Sequence, residues 1–141
     1  MSTGLLHLHS LLRWVILILL LVTLYQSFVK NEKIKSTSLW LMIVAHVMLL
    51  IGTYQSILGR FGWMNLPEGV SVMKDSFYRF YLVEHPTLMI ASIVLIALAR
   101  GKSKDLNYSA VNKLLLIALV LILAAVPWPF RGEPIGRPWL P

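Results

Sequence analysis

Ionisable side chains stand in three stretches of this sequence that are otherwise apolar. His9 lies in HLHSLLRWVILILL, His46 in LWLMIVAHVMLL, and the pair Glu84-His85 in FYRFYLVEHPTLMI. Arg13 follows His9 by four residues, one helical turn along the same face. Such groups are costly inside an apolar span, so they face a bundle interior, find partners and mark a working site. Imidazoles from separate helices are the ligands a haem iron takes on its two faces, giving a low-spin electron-transfer centre. The residues therefore point first to haem b, with His9, His46 and His85 as candidate axial ligands. Arg13 and Arg79 suit the propionates, because a guanidinium binds a carboxylate through a bidentate fork. Glu84 is expected either to pair with Arg13 or to accept the second ring hydrogen of a ligating histidine, fixing its tautomer.

Two other chemistries fit the same residues. Three neutral imidazoles suit copper or zinc, and Met48, Met73 and Met89 would soften a site for Cu(I). Alternatively His85 and Glu84 titrate at a proton or quinol site, since histidine changes charge near neutral pH. Against all three stands interhelical hydrogen bonding, which needs no ligand. His7, near the end of its span, reads as an interfacial polar residue. The methionines read as packing, because Met fills irregular gaps.

Composition says what must position these groups. The chain has 141 residues, 57% hydrophobic and 13% charged, against about 25% charged in a soluble domain. That length holds one domain and four spans of roughly 20 residues, with no room for a separate soluble enzyme domain. The apolar runs place spans at about 5–28, 38–58, 77–100 and 108–126, with a tail at 127–141. The first is read as retained rather than as a cleaved signal, because it has no basic leading region and runs too long. Ser36, Thr37 and Ser38 offer N-caps to the second span. Within that span, Ala45, Gly52 and Gly59 recur every seven residues and invite close helix approach. The long connection GRFGWMNLPEGVSVMKD reads as an ordered interfacial loop. Pro127 ends the fourth span, and the tail WPFRGEPIGRPWLP is too proline-rich for regular structure. Trp128 and Trp139 suit anchors at head-group depth. The fold expected is all-α: an integral membrane four-helix up-down bundle with an irregular Pro/Trp-rich C-terminal tail.

The net charge of +7 is carried by short loops between spans, a pattern of topology and anionic lipid rather than nucleic acid. Seven basic residues flank the first and third loops against five on the other side. That balance puts both termini and the long loop outside. His9 and His85 then match in depth near the outer surface, roughly 6–10 Å down, whereas His46 lies roughly 18 Å down. With no cysteine in the chain, disulfides, thiolate metal sites and iron–sulfur clusters are excluded.

HSLLRW in the first span, His46 ahead of Gly52, MKDSFYRFYLVEH and the closing PWPFR together resemble a family of small four-span bacterial membrane proteins labelled cytochrome b-like. The resemblance covers nearly the whole chain. It implies b-type haem, with His9, His46 and His85 as the matching histidines and Arg13, Arg79 and Glu84 beside them. It also implies the bacterial inner membrane. Relatives carry a glutamine two residues after the mid-span histidine, where this chain has Met48.

The functional expectation is a b-haem membrane subunit that handles electrons near the outer face, alone or in a larger membrane complex, with quinone as a possible partner. Two alternatives stay open: a haem-free accessory subunit packed against a respiratory or transport complex, and a histidine-based copper or zinc membrane protein. The sequence holds no nucleophile–base pair, phosphate loop or nucleic-acid module. An electron-transfer or accessory role is therefore favoured over stand-alone catalysis.

Overall fold

The computed structural model describes residues 3–139; the last two residues of the expected tail lie outside the described residues. Helix α1 spans Thr3–Val29 and α2 spans Ile34–Leu58. A short helix α3, Ser76–Arg79, passes through a wide π turn, Phe80–Glu84, into α4, His85–Lys104. Helix α5 is Tyr108–Ala125. The four apolar units, with α3 and α4 counted as one, are long and apolar enough to cross a membrane. Among the described residues there is no strand. The chain is an all-helical, multi-pass membrane bundle.

The helices pack in a ring, α1 on α2, α2 on α4, α4 on α5 and α5 back on α1. Leu20, Leu41, Ile96, Leu115 and Ile122 fill the centre. Ala45, Ala99 and Ala118, all buried, let the backbones close. The outer surface is as apolar as the core: Ile18, Leu50 and Val120 are 60%, 73% and 65% exposed. That inversion is what a lipid solvent requires. Between lipid and core there is no hydrophobic gradient to drive helix association, so packing and polar contacts hold the ring.

Polar contacts cluster at the end of the bundle formed by the α1–α2 and α4–α5 turns. The hydroxyls of Ser38 and Ser103 lie 2.7 Å apart, joining α2 to α4. Asn112 Nδ2 donates to Ser27 Oγ at 3.2 Å, joining α5 to α1. Ser103→Ala is expected to cost only about 0.6 kcal/mol, the typical worth of such a pair in a bilayer. Unfolding of the variant in mixed micelles measures it, and a loss several times larger would mean that the pair anchors a wider network.

Several boundaries differ from the sequence expectation. Helix α2 begins at Ile34, so Ser36, Thr37 and Ser38 lie within its first turns and cap nothing. Thr37 and Ser38 instead return their hydroxyls to the carbonyls of Lys33 and Lys35. The true cap of the third span is Asp75, whose carboxylate accepts from Phe77 N and Tyr78 N at 3.0 and 3.2 Å. Asn107 caps α5 by accepting from Ala110 N. The long connection is ordered by a 3-10 turn at Trp63–Asn65, with Asn65 Nδ2 bonded to Gly59 O at 2.9 Å.

Candidate functional site at the mouth of the bundle

The π turn decides where His85 points. Pro86 has no amide hydrogen for the carbonyl of Leu82, and its ring would collide with that carbonyl in a regular helix. Widening the preceding turn removes the collision, and His85 N bonds to Phe80 O instead. One extra residue in a turn rotates everything before it by about 100° relative to an unbroken helix. His85 therefore faces the bundle while Phe80 and Leu82 stay buried.

Four groups complete the end of α5, whose last carbonyls have no partner inside the helix. Ile122 O accepts from Val126 N at 3.0 Å. Leu123 O accepts from Trp128 Nε1 at 2.8 Å, and Ala124 O from Arg131 Nη2. Ala125 O lies 2.7 Å from His85 Nδ1. A carbonyl only accepts, so Nδ1 of His85 carries the hydrogen. In a neutral ring the lone pair then sits on Nε2, free to bind a metal or accept a proton. The same contact is a helix cap, so His85 has a structural task whether or not it has a ligand.

His9, from α1, reaches the same place. Its ring centre lies 6.2 Å from that of His85, the planes inclined by 53°. Gly52 of α2 faces it: a Cβ at that position would stand 3.5 Å from His9 Cε1, an ordinary contact. His9 Nδ1 is buried without a hydrogen-bond partner within the described chain, and so is Arg13 Nε one turn along α1. Gln55, three residues beyond Gly52 on α2, leaves its Nε2 in the same state. Gln55 was not singled out from the sequence. A polar amide one helical turn past the glycine of an apolar span was the signal for it.

His9 and His85 offer two imidazoles from separate spans, the kind of donor pair that would hold a haem iron. The unpaired Nε of Arg13 is a donor of the kind a propionate needs. Among the described residues there is no group of three or more His, Cys, Asp or Glu placed to hold a metal ion.

His46 does not join the pair. Ala45 and Met48 take the inward face of α2, which leaves His46 exposed on the outer face with Nδ1 bonded to Met42 O at 2.8 Å. It also lies six residues, about 9 Å, from the level of Gly52. The three-imidazole copper or zinc site is therefore not assembled within this chain.

The acidic and basic partners also differ from expectation. Glu84 is exposed and pairs with Arg79 at 3.0 Å, rather than with Arg13. Ala125 O, not Glu84, takes the ring hydrogen of His85. Arg79 also donates to Met73 O, so it is engaged at the surface. Arg13 Nη2 donates to Trp139 O at 2.8 Å, an acceptor it shares with Trp14 Nε1 at 2.9 Å.

That shared acceptor shows where the tail goes. It folds back on the bundle, with the rings of Trp14, Trp128 and Trp139 centred within 5.6–6.3 Å of one another. Tyr81 Oη donates to Ile135 O at 2.5 Å. The turn is tight at Gly136, where a Cβ would come within 3.0 Å of the carbonyls of Gly132, Pro129 and Trp128. Gly136→Ala is expected to loosen the tail without unfolding the helices. Faster protease cleavage after Arg131, at unchanged helical signal, is the measurement, and equal cleavage rates would show that the turn absorbs the methyl.

The chain matches no protein-family model, no curated protein and no solved structure.

Proposed function

We propose that this protein is a b-haem electron-transfer subunit of the bacterial inner membrane, with His9 and His85 as the axial pair. The reading rests on one observation: two imidazoles from separate spans, 6.2 Å apart, one with its tautomer fixed by Ala125 O. Arg13 would hold a propionate through its unpaired Nε. Haem bound there supplies reversible one-electron chemistry. The chain's residues orient the rings, cap α5 beneath them and cover Arg13 with the tail. In this reading both termini and the tail lie on the outer side, as the basic-residue balance favours.

An absorption spectrum of detergent-purified protein, oxidised and then dithionite-reduced, tests the proposal. Sharp reduced bands of a low-spin bis-histidine haem, at about one haem per chain, are the expected result. A flat visible spectrum from cells with ample haem defeats it.

One observation favours a second reading. The His85 cap on Ala125 O is complete without any ligand, as a haem-free accessory subunit would need. That reading predicts a colourless protein that leaves gently solubilised membranes with a larger complex.

A further inference from the structure

A groove of about 470 Å³ opens where the long connection, α3 and the tail meet. Phe61, Phe77, Asp75, Glu133 and Arg137 are among its walls. Its volume falls within the range of small-molecule sites, roughly 300–1,000 Å³. The proline-rich tail forms one wall and the third span another, so the groove is assembled by the fold.

The wall chemistry is specific. Phe61 and Phe77 meet edge to face at 5.2 Å, offering aromatic surface for a flat ring. The Arg137 guanidinium lies 5.7 and 5.2 Å from the ring centres of Phe77 and Tyr81. A guanidinium carries five N–H donors, more than its contact with the Tyr81 hydroxyl uses. Asp75 spends one oxygen, Oδ1, on the amides of Phe77 and Tyr78, which leaves Oδ2. Glu133 adds a second carboxylate. One wall thus donates and others accept, around an aromatic slot at the mouth of a membrane bundle.

We propose that this groove binds the ring of a quinone-class lipid, with a ring carbonyl accepting from Arg137. In the reduced, quinol form the ring hydroxyls donate to Asp75 or Glu133, so both oxidation states find a partner. The isoprenoid chain leaves toward the bilayer. A chain of rings links the groove to His85: centres step from Phe77 to Tyr81 in 4.9 Å, to Phe80 in 5.0 Å and to His85 in 6.0 Å. Binding itself does not depend on haem at His85.

Equilibrium dialysis of menadione against the full chain in lipid nanodiscs tests it, with empty nanodiscs subtracting partition into lipid. Saturable binding at one site per chain is expected, weakened at least tenfold by Arg137→Gln and by Phe77→Ala. His9→Ala should bind as the parent does, which separates this outcome from that of the haem reading. Elution as a single species and an unchanged helical signal qualify each variant. Should Arg137→Gln fail to fold, Phe61→Ala, which removes the ring packed against Phe77, is expected to show the same loss. Uptake that rises linearly and matches empty nanodiscs overturns the proposal. So does saturable uptake that the groove variants leave unchanged.

Discussion

Under the proposed haem reading, replacing His85 with alanine is expected to remove haem from the purified protein altogether while leaving the protein in the membrane. Two losses combine. The imidazole proposed as a ligand disappears, and Ala125 O loses the Nδ1 partner it has at 2.7 Å. An unpaired buried carbonyl costs about 1–3 kcal/mol, so the end of α5 should fray as well. His46→Ala provides the internal comparison. That imidazole lies on the outer face, bonded to Met42 O of its own helix, and its loss should leave the haem content at the parent value. Haem per chain, by pyridine haemochrome, reads both variants. Stoichiometric haem in His85→Ala would remove His85 as a ligand, and depletion in His46→Ala would require a partner chain that brings His46 into the site.

The second large effect is expected at Phe80. This ring is 1% exposed. It meets Tyr81 edge to face at 5.0 Å, lies 6.0 Å from His85 and carries the Arg131 guanidinium 5.1 Å from its centre. Phe80 therefore braces the π turn, the histidine and the start of the tail together. In water, Phe→Ala at a buried site costs about 3–5 kcal/mol, part of it transfer of the ring from water. In a bilayer the unfolded reference keeps its side chains in lipid, so that part shrinks and the lost contacts and cavity remain. A cost near 2–3 kcal/mol is expected for Phe80→Ala, and about half that for Phe80→Leu. Denaturant titration in mixed micelles, followed by far-UV circular dichroism, gives the values. A change below about 0.5 kcal/mol would be that of a surface substitution, and Phe80 would brace nothing.

The two predictions separate the functions of neighbouring residues. His85→Ala should strip haem at modest cost in stability. Phe80→Ala should cost stability first and loosen the haem site through it. Were His85 only a helix cap, both variants would lower stability and neither would alter a spectrum.

What the sequence determined by itself is the bundle. Apolar runs of about 20 residues separated by charged turns leave a chain few ways to satisfy its backbone in lipid, and helices are the way available to single spans. Span number, span type and the stop at Pro127 follow from composition and from the chemistry of single residues. The meeting of His9 with His85 was legible too, because equal depth on two spans that enter from the same side is a matter of counting residues at 1.5 Å each.

Facing was not legible. A span that is apolar all round carries no periodic signal to say which side is inside, and here Leu50 and Leu41 differ only in what packs against them. Depth alone therefore set His46 apart from His9 and His85, and its outward facing stayed hidden, although Ala45 and Met48 take the inward face. The partners of Glu84 and Arg13 were hidden for related reasons. The π turn before Pro86 changes the rotation between Glu84 and the residues that precede it. Trp139, more than a hundred residues from Arg13, comes beside it only because the tail folds back. Tertiary structure alone decided these points, since the free energy of each contact depends on helix rotation and tail path, which no local stretch of sequence encodes.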